Sequence, residues 1–240
     1  MIIVGPCSIE SQSQLFGIIN QLKLYDIEYI RGGIWKYRST SNSFQGTNEA
    51  MDWIRQTKEE WDFKFVCEIL TTHGIEDFIE NYIDVIQIGS RNMYNTDLLK
   101  QVSEKFRHKP VIFKRHFSSS LQDFVNHSTY LKNENVSLVL RGIQTLHSHE
   151  QRFFPDFTDI PRLRELTSHP IIYDVSHSAC HSKYVPSILE AANIFKPDGY
   201  MIEVHPDPSN ALSDADQQLD YAEFNSIFEN LERMKIWINK

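Results

Sequence analysis

Four side chains with the chemistry of metal ligands stand far apart in this sequence: Cys7, His177, Glu203 and Asp214. A soft thiolate, an imidazole and two carboxylates suit a borderline divalent ion such as Mn, Fe, Co or Zn better than Mg or Ca, which take all-oxygen shells. Cys7 follows Gly5-Pro6, the pair that ends an apolar run at 1–4, so its thiol falls at the exit of a short strand. Taken alone, Cys7 reads first as a small buried hydrophobe and His177 as a loop histidine satisfied by hydrogen bonds. The metal reading rests on all four meeting in space. Cys67 lies within an apolar run and reads as core, whereas Cys180, three residues after His177, is an alternative ligand.

A second set is cationic: Arg31, Lys36, Arg38, Arg91, Lys114 and Arg141. Guanidinium and ammonium groups gathered in one cleft suit a small, multiply charged anion, with arginine giving bidentate contacts to phosphate or carboxylate. Each taken singly reads as an ordinary surface charge. In the segment KYRSTSNSFQG at 36–46, Arg38 and Ser39 are suited to a second phosphate, or else belong to a polar surface loop. Glycines in RGG at 31–33 and in IGSR at 88–91 let backbone approach a ligand closely.

Short apolar runs bounded by turn residues predict the elements that must position these groups. Eight strands are expected, at 2–5, 27–33, 63–69, 84–89, 110–115, 136–141, 170–175 and 199–204. Helix-like spacing falls between most of them, as at 95–106 and 181–195. Strict alternation of buried strands with helices implies a parallel sheet, and eight such units imply an α/β fold, a single (β/α)8 TIM barrel with its site at the C-terminal ends of the strands. Nearly every strand exit then carries a polar group. A last helix is expected from about Ser213, capped by that serine, with Phe224, Ile227, Phe228, Leu231 and Met234 on its buried stripe.

Composition narrows the function. The 240 residues, 41% hydrophobic, suffice for one large core, and a net charge of −8 argues against nucleic acid or an anionic membrane as general partner. No apolar stretch approaches the roughly 18 residues of a spanning helix, no signal peptide is visible, and three scattered cysteines give no disulfide framework. A cytoplasmic protein with reduced thiols is expected.

Seven stretches together carry a family resemblance: VGPCSIES at 4–11, RGGIWKYRSTSNSFQG at 31–46, QIGSRNMYN at 87–95, KPVIFKR at 109–115, LRGIQT at 140–145, YDVSHS at 173–178 and MIEVHPDPSNALSDADQQL at 201–219. On these the chain resembles the type I 3-deoxy-D-arabino-heptulosonate 7-phosphate (DAHP) synthases, in the subtype close to the 3-deoxy-D-manno-octulosonate 8-phosphate synthases. The resemblance implies a metal-dependent, aldol-like condensation of phosphoenolpyruvate with erythrose 4-phosphate, releasing phosphate, as the first step of the shikimate pathway toward aromatic amino acids. It implies Cys7, His177, Glu203 and Asp214 as ligands of one divalent ion (Mn, Fe, Co or Zn). Phosphoenolpyruvate falls to Arg31, Lys36, Arg91, Lys114 and Arg141, and the aldose phosphate to Arg38 and Ser39. Lys36 is the implied proton donor, with Glu68 and His205 organising the attacking water. Two positions depart from the family pattern: Tyr37 stands where proline is usual and His116 where glycine is usual. The octulosonate reaction, with arabinose 5-phosphate, and a ligand-binding barrel without catalysis are the alternatives. A homo-oligomer, dimer or tetramer, goes with the family, as does a separate chorismate mutase as partner; one catalytic barrel without an added regulatory or mutase domain is expected.

Overall fold

The computed structural model describes residues 1–38, 40–145 and 151–238, with side chains up to Glu229. Ser39 and the side chains of Leu231 and Met234 lie outside that set. The strands are β1 (Ile2–Gly5), β2 (Tyr29–Arg31), β3 (Lys64–Glu68), β4 (Val85–Ile88), β5 (Val111–Lys114), β6 (Val136–Leu140), β7 (Ile143–Gln144), β8 (Phe153–Phe154), β9 (Ile171–Asp174) and β10 (Gly199–Glu203). Eight of them close a barrel in the order β1-β10-β9-β6-β5-β4-β3-β2, every neighbour parallel. These are the eight expected strands. The antiparallel pair β7–β8 stands outside the barrel and has no counterpart in the apolar pattern, because two residues per strand are too few to show an alternation.

The period of two along a strand explains how this barrel carries a site. Ile3, Val66, Val85, Ile112, Val139, Ile172 and Met201, one from each of seven strands, pack on one another inside the barrel with Tyr29 of β2 against them. Their neighbours Val4, Ile30, Cys67, Ile86, Phe113, Leu140, Tyr173 and Ile202 belong to the separate layer under the helices. Cys67 is therefore core. Two residues beyond each interior position the same face is presented again, and there stand Gly5, Arg31, Glu68, Gln87, Lys114, Arg141, Asp174 and Glu203. An apolar plug below thus becomes a polar ring above, at the C-terminal mouth where barrel sites form.

The helices that wrap the barrel are set by local chemistry. Ser11, Asn95 and Ser120 accept the N–H of Gln14, Leu98 and Asp123 and cap helices Gln12–Lys23, Thr96–Lys105 and Leu121–Ser128. The helix expected at 181–195 is Val185–Ile194, preceded by a 3₁₀ turn at Ser182–Tyr184. The last helix, Tyr221–Ile238, begins later than the sequence suggested. Its start is a reciprocal cap in which the Glu223 N–H donates to Asp220 Oδ1 (2.7 Å) and the Asp220 N–H to Glu223 Oε2 (3.0 Å). Ser213 instead is buried, its hydroxyl 2.5 Å from Ser8 Oγ. The cause is tertiary: the Leu219 N–H bonds the Glu203 carbonyl (2.9 Å) and the His205 N–H bonds the Leu219 carbonyl (2.9 Å), so the chain from 205 to 219 is tied back to β10. Phe224 and Ile227 are buried as expected and Phe228 packs partly buried beside them. Among the described residues no helix is long and apolar enough to cross a membrane.

Gly5 is the interior position that lacks a side chain, and the reason is steric. Its φ is +152°, and a Cβ there would lie 2.1 Å from the Arg31 carbonyl oxygen. Gly5→Ala is expected to lower the free energy of unfolding by more than about 2 kcal/mol, read by urea denaturation; an unchanged midpoint would show that β1 and β2 can separate at no cost.

Candidate active site

The mouth of the barrel is a cleft whose charged lining comprises Arg31, Lys36, Arg38, Glu68, Arg91, Lys114, Arg141, Arg152, His177 and Asp214. All the expected phosphoenolpyruvate contacts are therefore in one place. Gln87, Gly89, Ser90, Tyr37, Phe117 and Phe153 complete the wall. The Glu68 carboxylate lies so close over Gly89 that a Cβ there would meet Glu68 Oε1 at 1.8 Å.

Two of the buried cations are paired with carboxylates. Arg31 Nη2 is 3.0 Å from Glu203 Oε1. Lys114 Nζ bonds Asp174 Oδ2. Asp174 also holds His177: its Oδ2 is 2.9 Å from His177 Nδ1, and its Oδ1 accepts the His177 N–H at 3.0 Å, capping the short helix Val175–Ala179. Burial opposes ionisation of Asp174, but His177 and Lys114 outweigh it and hold the carboxyl well below the usual carboxylate range. Burial dominates at Lys114 and His177 and lowers both pKa values.

The four sulfur, nitrogen and oxygen ligands foreseen from sequence stand in two adjoining pairs. The Cys7 thiol donates to Asp214 Oδ2 (3.2 Å), and Lys36 Nζ donates to the same sulfur (3.1 Å). His177 Nδ1 lies 3.7 Å from Glu203 Oε1, and Glu203 Oε2 accepts Gln217 Nε2 at 2.6 Å. Among the described residues no three of these side chains form a preformed ligand cluster. Arg31 and Gln217 bond the Glu203 carboxylate, and Lys36 bonds the Cys7 sulfur. Burial, followed by the Glu203 charge, pushes the Cys7 thiol far above its ordinary pKa. Burial works against the Lys36 ammonium, yet Cys7, Glu68, Asp214 and Glu203 together raise its pKa. Asp214 is likewise opposed by burial but held low by Lys36, His177 and Arg152.

The outer rim is looser. Arg91 is exposed, donates to the Tyr37 carbonyl (3.1 Å) and stands 5.8 Å from the Tyr37 ring centroid. Arg38 Nε donates to Ser43 Oγ at 3.2 Å.

Some expectations are redirected. His205 is not in the cleft lining: its Nε2 is 3.3 Å from Glu10 Oε2, and its Nδ1 accepts the Asp207 N–H at 3.0 Å. With both ring nitrogens engaged it braces the last loop, away from the cleft where the resemblance has it organise a water. Cys180 Sγ faces the carbonyls of His177 (3.5 Å) and Phe153 (3.8 Å) rather than the ligand pairs. The His116 ring packs on Tyr94 and Phe117 beside the cleft. Conversely, Arg152 enters the cleft unannounced, its Nη2 3.4 Å from Asp214 Oδ1 and 3.3 Å from Gln217 Oε1. Arg152 leads into β8, and the two-residue hairpin strands leave no periodic signal to mark it.

Residues 1–239 match the family described as DAHP synthetase I. The chain belongs to the DAHP synthetase I family. Membership makes it an enzyme of the 3-deoxy-7-phosphoheptulonate synthase class. Phospho-2-dehydro-3-deoxyheptonate aldolase of Thermotoga maritima is 32% identical over 237 residues, 97% of this chain and 69% of that one. A crystal structure of phospho-2-dehydro-3-deoxyheptonate aldolase (DAHP synthase) from Thermotoga maritima superposes with a TM-score of 0.89 at 32% identity, covering 98% of this chain and 68% of that chain. A truncated form of the Thermotoga maritima 3-deoxy-D-arabino-heptulosonate 7-phosphate synthase gives 0.86 at 29% identity, covering 98% and 86%. The 2-dehydro-3-deoxyphosphooctonate aldolase of Bartonella henselae is also similar, 26% identical over 254 residues, 96% of this chain and 88% of that one.

In this DAHP synthetase I barrel, the hairpin that brings Arg152 to the cleft is anchored from behind by Asp156. Its buried carboxylate accepts the Gly142 N–H (2.7 Å), and Arg115 Nη1 approaches it at 3.3 Å while bonding Asp159 at 2.7 Å. Burial pushes the Asp156 carboxyl up to about 6 from an ordinary 3.8. The folded protein therefore binds the proton more tightly than the unfolded chain, and the contribution of this group to stability, full below about 4, is lost as pH rises through about 6. Asp156→Asn is expected to flatten that part of the profile: urea midpoints of the two proteins should diverge between pH 4 and 6, and parallel curves would remove Asp156 as the cause.

Proposed function

We propose that the protein joins phosphoenolpyruvate to erythrose 4-phosphate, giving 3-deoxy-D-arabino-heptulosonate 7-phosphate and inorganic phosphate, with one divalent ion of the Mn, Fe, Co or Zn type. The observation that carries the reading is the state of two arginines. Arg31 and Arg141 are buried, and Nε and Nη1 of each meet no hydrogen-bond acceptor among the described residues. Buried donors are normally satisfied, so four such donor nitrogens beside Lys114 are a seat built for a strongly charged anion.

The donor set fits the ion. Cys7 is a free thiol, burial favours the neutral imidazole of His177, and Glu203 and Asp214 are kept ionised by their surroundings. These four would hold it, and when bound an ion of this kind supplies Lewis acidity toward an aldehyde oxygen. The remaining work belongs to the chain. Arg31, Arg91, Lys114 and Arg141 fix the carboxylate and phosphate of phosphoenolpyruvate so that its C3 faces the aldehyde carbon. As C3 attacks, Lys36, protonated through its raised pKa, gives a proton to the new alkoxide oxygen. Glu68 positions the water that adds to the cationic C2 and takes up its first proton; the bond from C2 to the phosphate-ester oxygen then breaks, and the hydroxyl proton leaves with the phosphate as C2 becomes a carbonyl. Arg38 and Ser39 hold the aldose phosphate; Arg38 lines the cleft, and the Tyr37 carbonyl beside it binds Arg91.

Erythrose 4-phosphate leads over arabinose 5-phosphate because the heptonate aldolase of Thermotoga shares more identity with this chain than the octonate aldolase of Bartonella does. With this reading go a place at the first step of the shikimate pathway, a cytoplasmic location, a single catalytic barrel, a dimeric or tetrameric assembly, and a separate chorismate mutase as partner.

Chelator-stripped protein given phosphoenolpyruvate is expected to release phosphate only when Mn²⁺ and erythrose 4-phosphate are both added. Release with arabinose 5-phosphate instead moves the protein to the octulosonate reaction, and none with either sugar leaves a ligand-binding barrel. Lys114→Ala removes a buried cation from the anion seat and is expected to cut kcat/KM for phosphoenolpyruvate by about 30-fold or more; an unchanged concentration dependence would take Lys114 out of the seat.

A further inference from the structure

Arg141 differs from the other buried cations of the cleft. Arg31 is paired with Glu203 and Lys114 with Asp174, whereas no carboxylate forms an ion pair with Arg141 among the described residues. What holds it is aromatic. Its guanidinium carbon lies 3.8 Å from the ring centroid of Phe153 in β8 and 6.0 Å from that of Phe117, and the two rings are 5.6 Å apart. Arg141 is 5% exposed and Phe153 8%, so the contact is shielded from water. A guanidinium against a ring face keeps its in-plane N–H groups free for other acceptors, and in a desolvated site that contact is at its strongest.

We propose that Phe153 is a positioning residue for the anionic substrate: by stacking on Arg141 it fixes the plane of the guanidinium and leaves Nε and Nη1 aimed at the ligand without a competing carboxylate. The inference rests on the reading of the cleft as a phosphoenolpyruvate seat. It gives the β7–β8 hairpin a task, since Gly142, at φ +85° with its would-be Cβ 3.0 Å from Phe153 Cβ, lets the hairpin fold closely enough to bring the ring onto the residue just before it. An acidic partner would hold Arg141 as firmly but would repel an incoming carboxylate or phosphate; an aromatic ring does not.

The test is calorimetric titration of phosphoenolpyruvate into Mn²⁺-supplied wild type, Phe153→Leu and Phe153→Tyr, together with steady-state KM values for both substrates. The leucine keeps an apolar side chain without a π face; the tyrosine keeps the ring. Phe153→Leu is expected to weaken phosphoenolpyruvate binding about tenfold, between what exposed and desolvated cation–π contacts carry, and to raise its KM in step while the KM for the aldose phosphate stays within about twofold. Phe153→Tyr is expected to bind like wild type. Equal affinity in the leucine variant overturns the proposal, as does equal loss in both variants, which would mark a packing role. Should the leucine variant fail to fold, Phe153→Met takes its place with the same expectations. If wild type itself does not bind phosphoenolpyruvate, the reading of the cleft falls and this inference falls with it.

Discussion

Charges buried inside a closed barrel must be compensated where they stand, and the rest of this structure follows from that. Removing a guanidinium, an ammonium or a carboxylate from water costs several kcal/mol per ion unless partners replace the solvent. The inward face of the barrel strands supplies the partners itself. Because the strands are parallel, Arg31 meets Glu203 on the same level across β1, and Lys114 meets Asp174, two residues further along, across β6. Each pair links strands that are not neighbours, so the electrostatics close the barrel mouth as the apolar residues below close its interior.

That compensation leaves some hydrogen-bonding capacity unspent, and the site lies there. Arg31 satisfies one of its nitrogens on Glu203 and keeps others free; Arg141 relies on Phe153 and keeps Nε and Nη1 free. Asp174 serves two groups at once, Lys114 and His177, and so couples the cationic wall to the ligand pairs. A side chain removed from such a network leaves its partner charged and buried, which costs more than the bond itself contributed.

Loops complete the cleft with residues that the strands cannot supply. Cys7 follows the Gly5-Pro6 turn, Lys36 arrives from the segment after β2, and Asp214 sits in the left-handed region at φ +44° on a loop tied back to β10 by main-chain bonds. Aspartate tolerates that conformation better than most residues. His205 and Glu10 brace the same loop, the Glu10 carboxylate accepting the Leu212 N–H at 2.9 Å.

The sequence by itself determined the eight strands, their parallel arrangement and the charged residues near their exits, since short apolar runs bounded by turn residues are written locally and are indifferent to what lies far away. It also marked Cys7, His177, Glu203 and Asp214 by type. Only the tertiary structure decided what each of these touches. The pairing of Cys7 with Asp214 and of Lys114 with Asp174 spans 207 and 60 residues, and nothing local encodes a partner at that range. The same holds for His205, whose surroundings rather than its place after β10 set its role, for Ser213, drawn from the expected cap by the bonds between 205 and 219, and for Arg152 and Phe153, carried by strands too short to leave a pattern. Strand periodicity is a property of consecutive residues; compensation of buried charge is a property of the closed barrel.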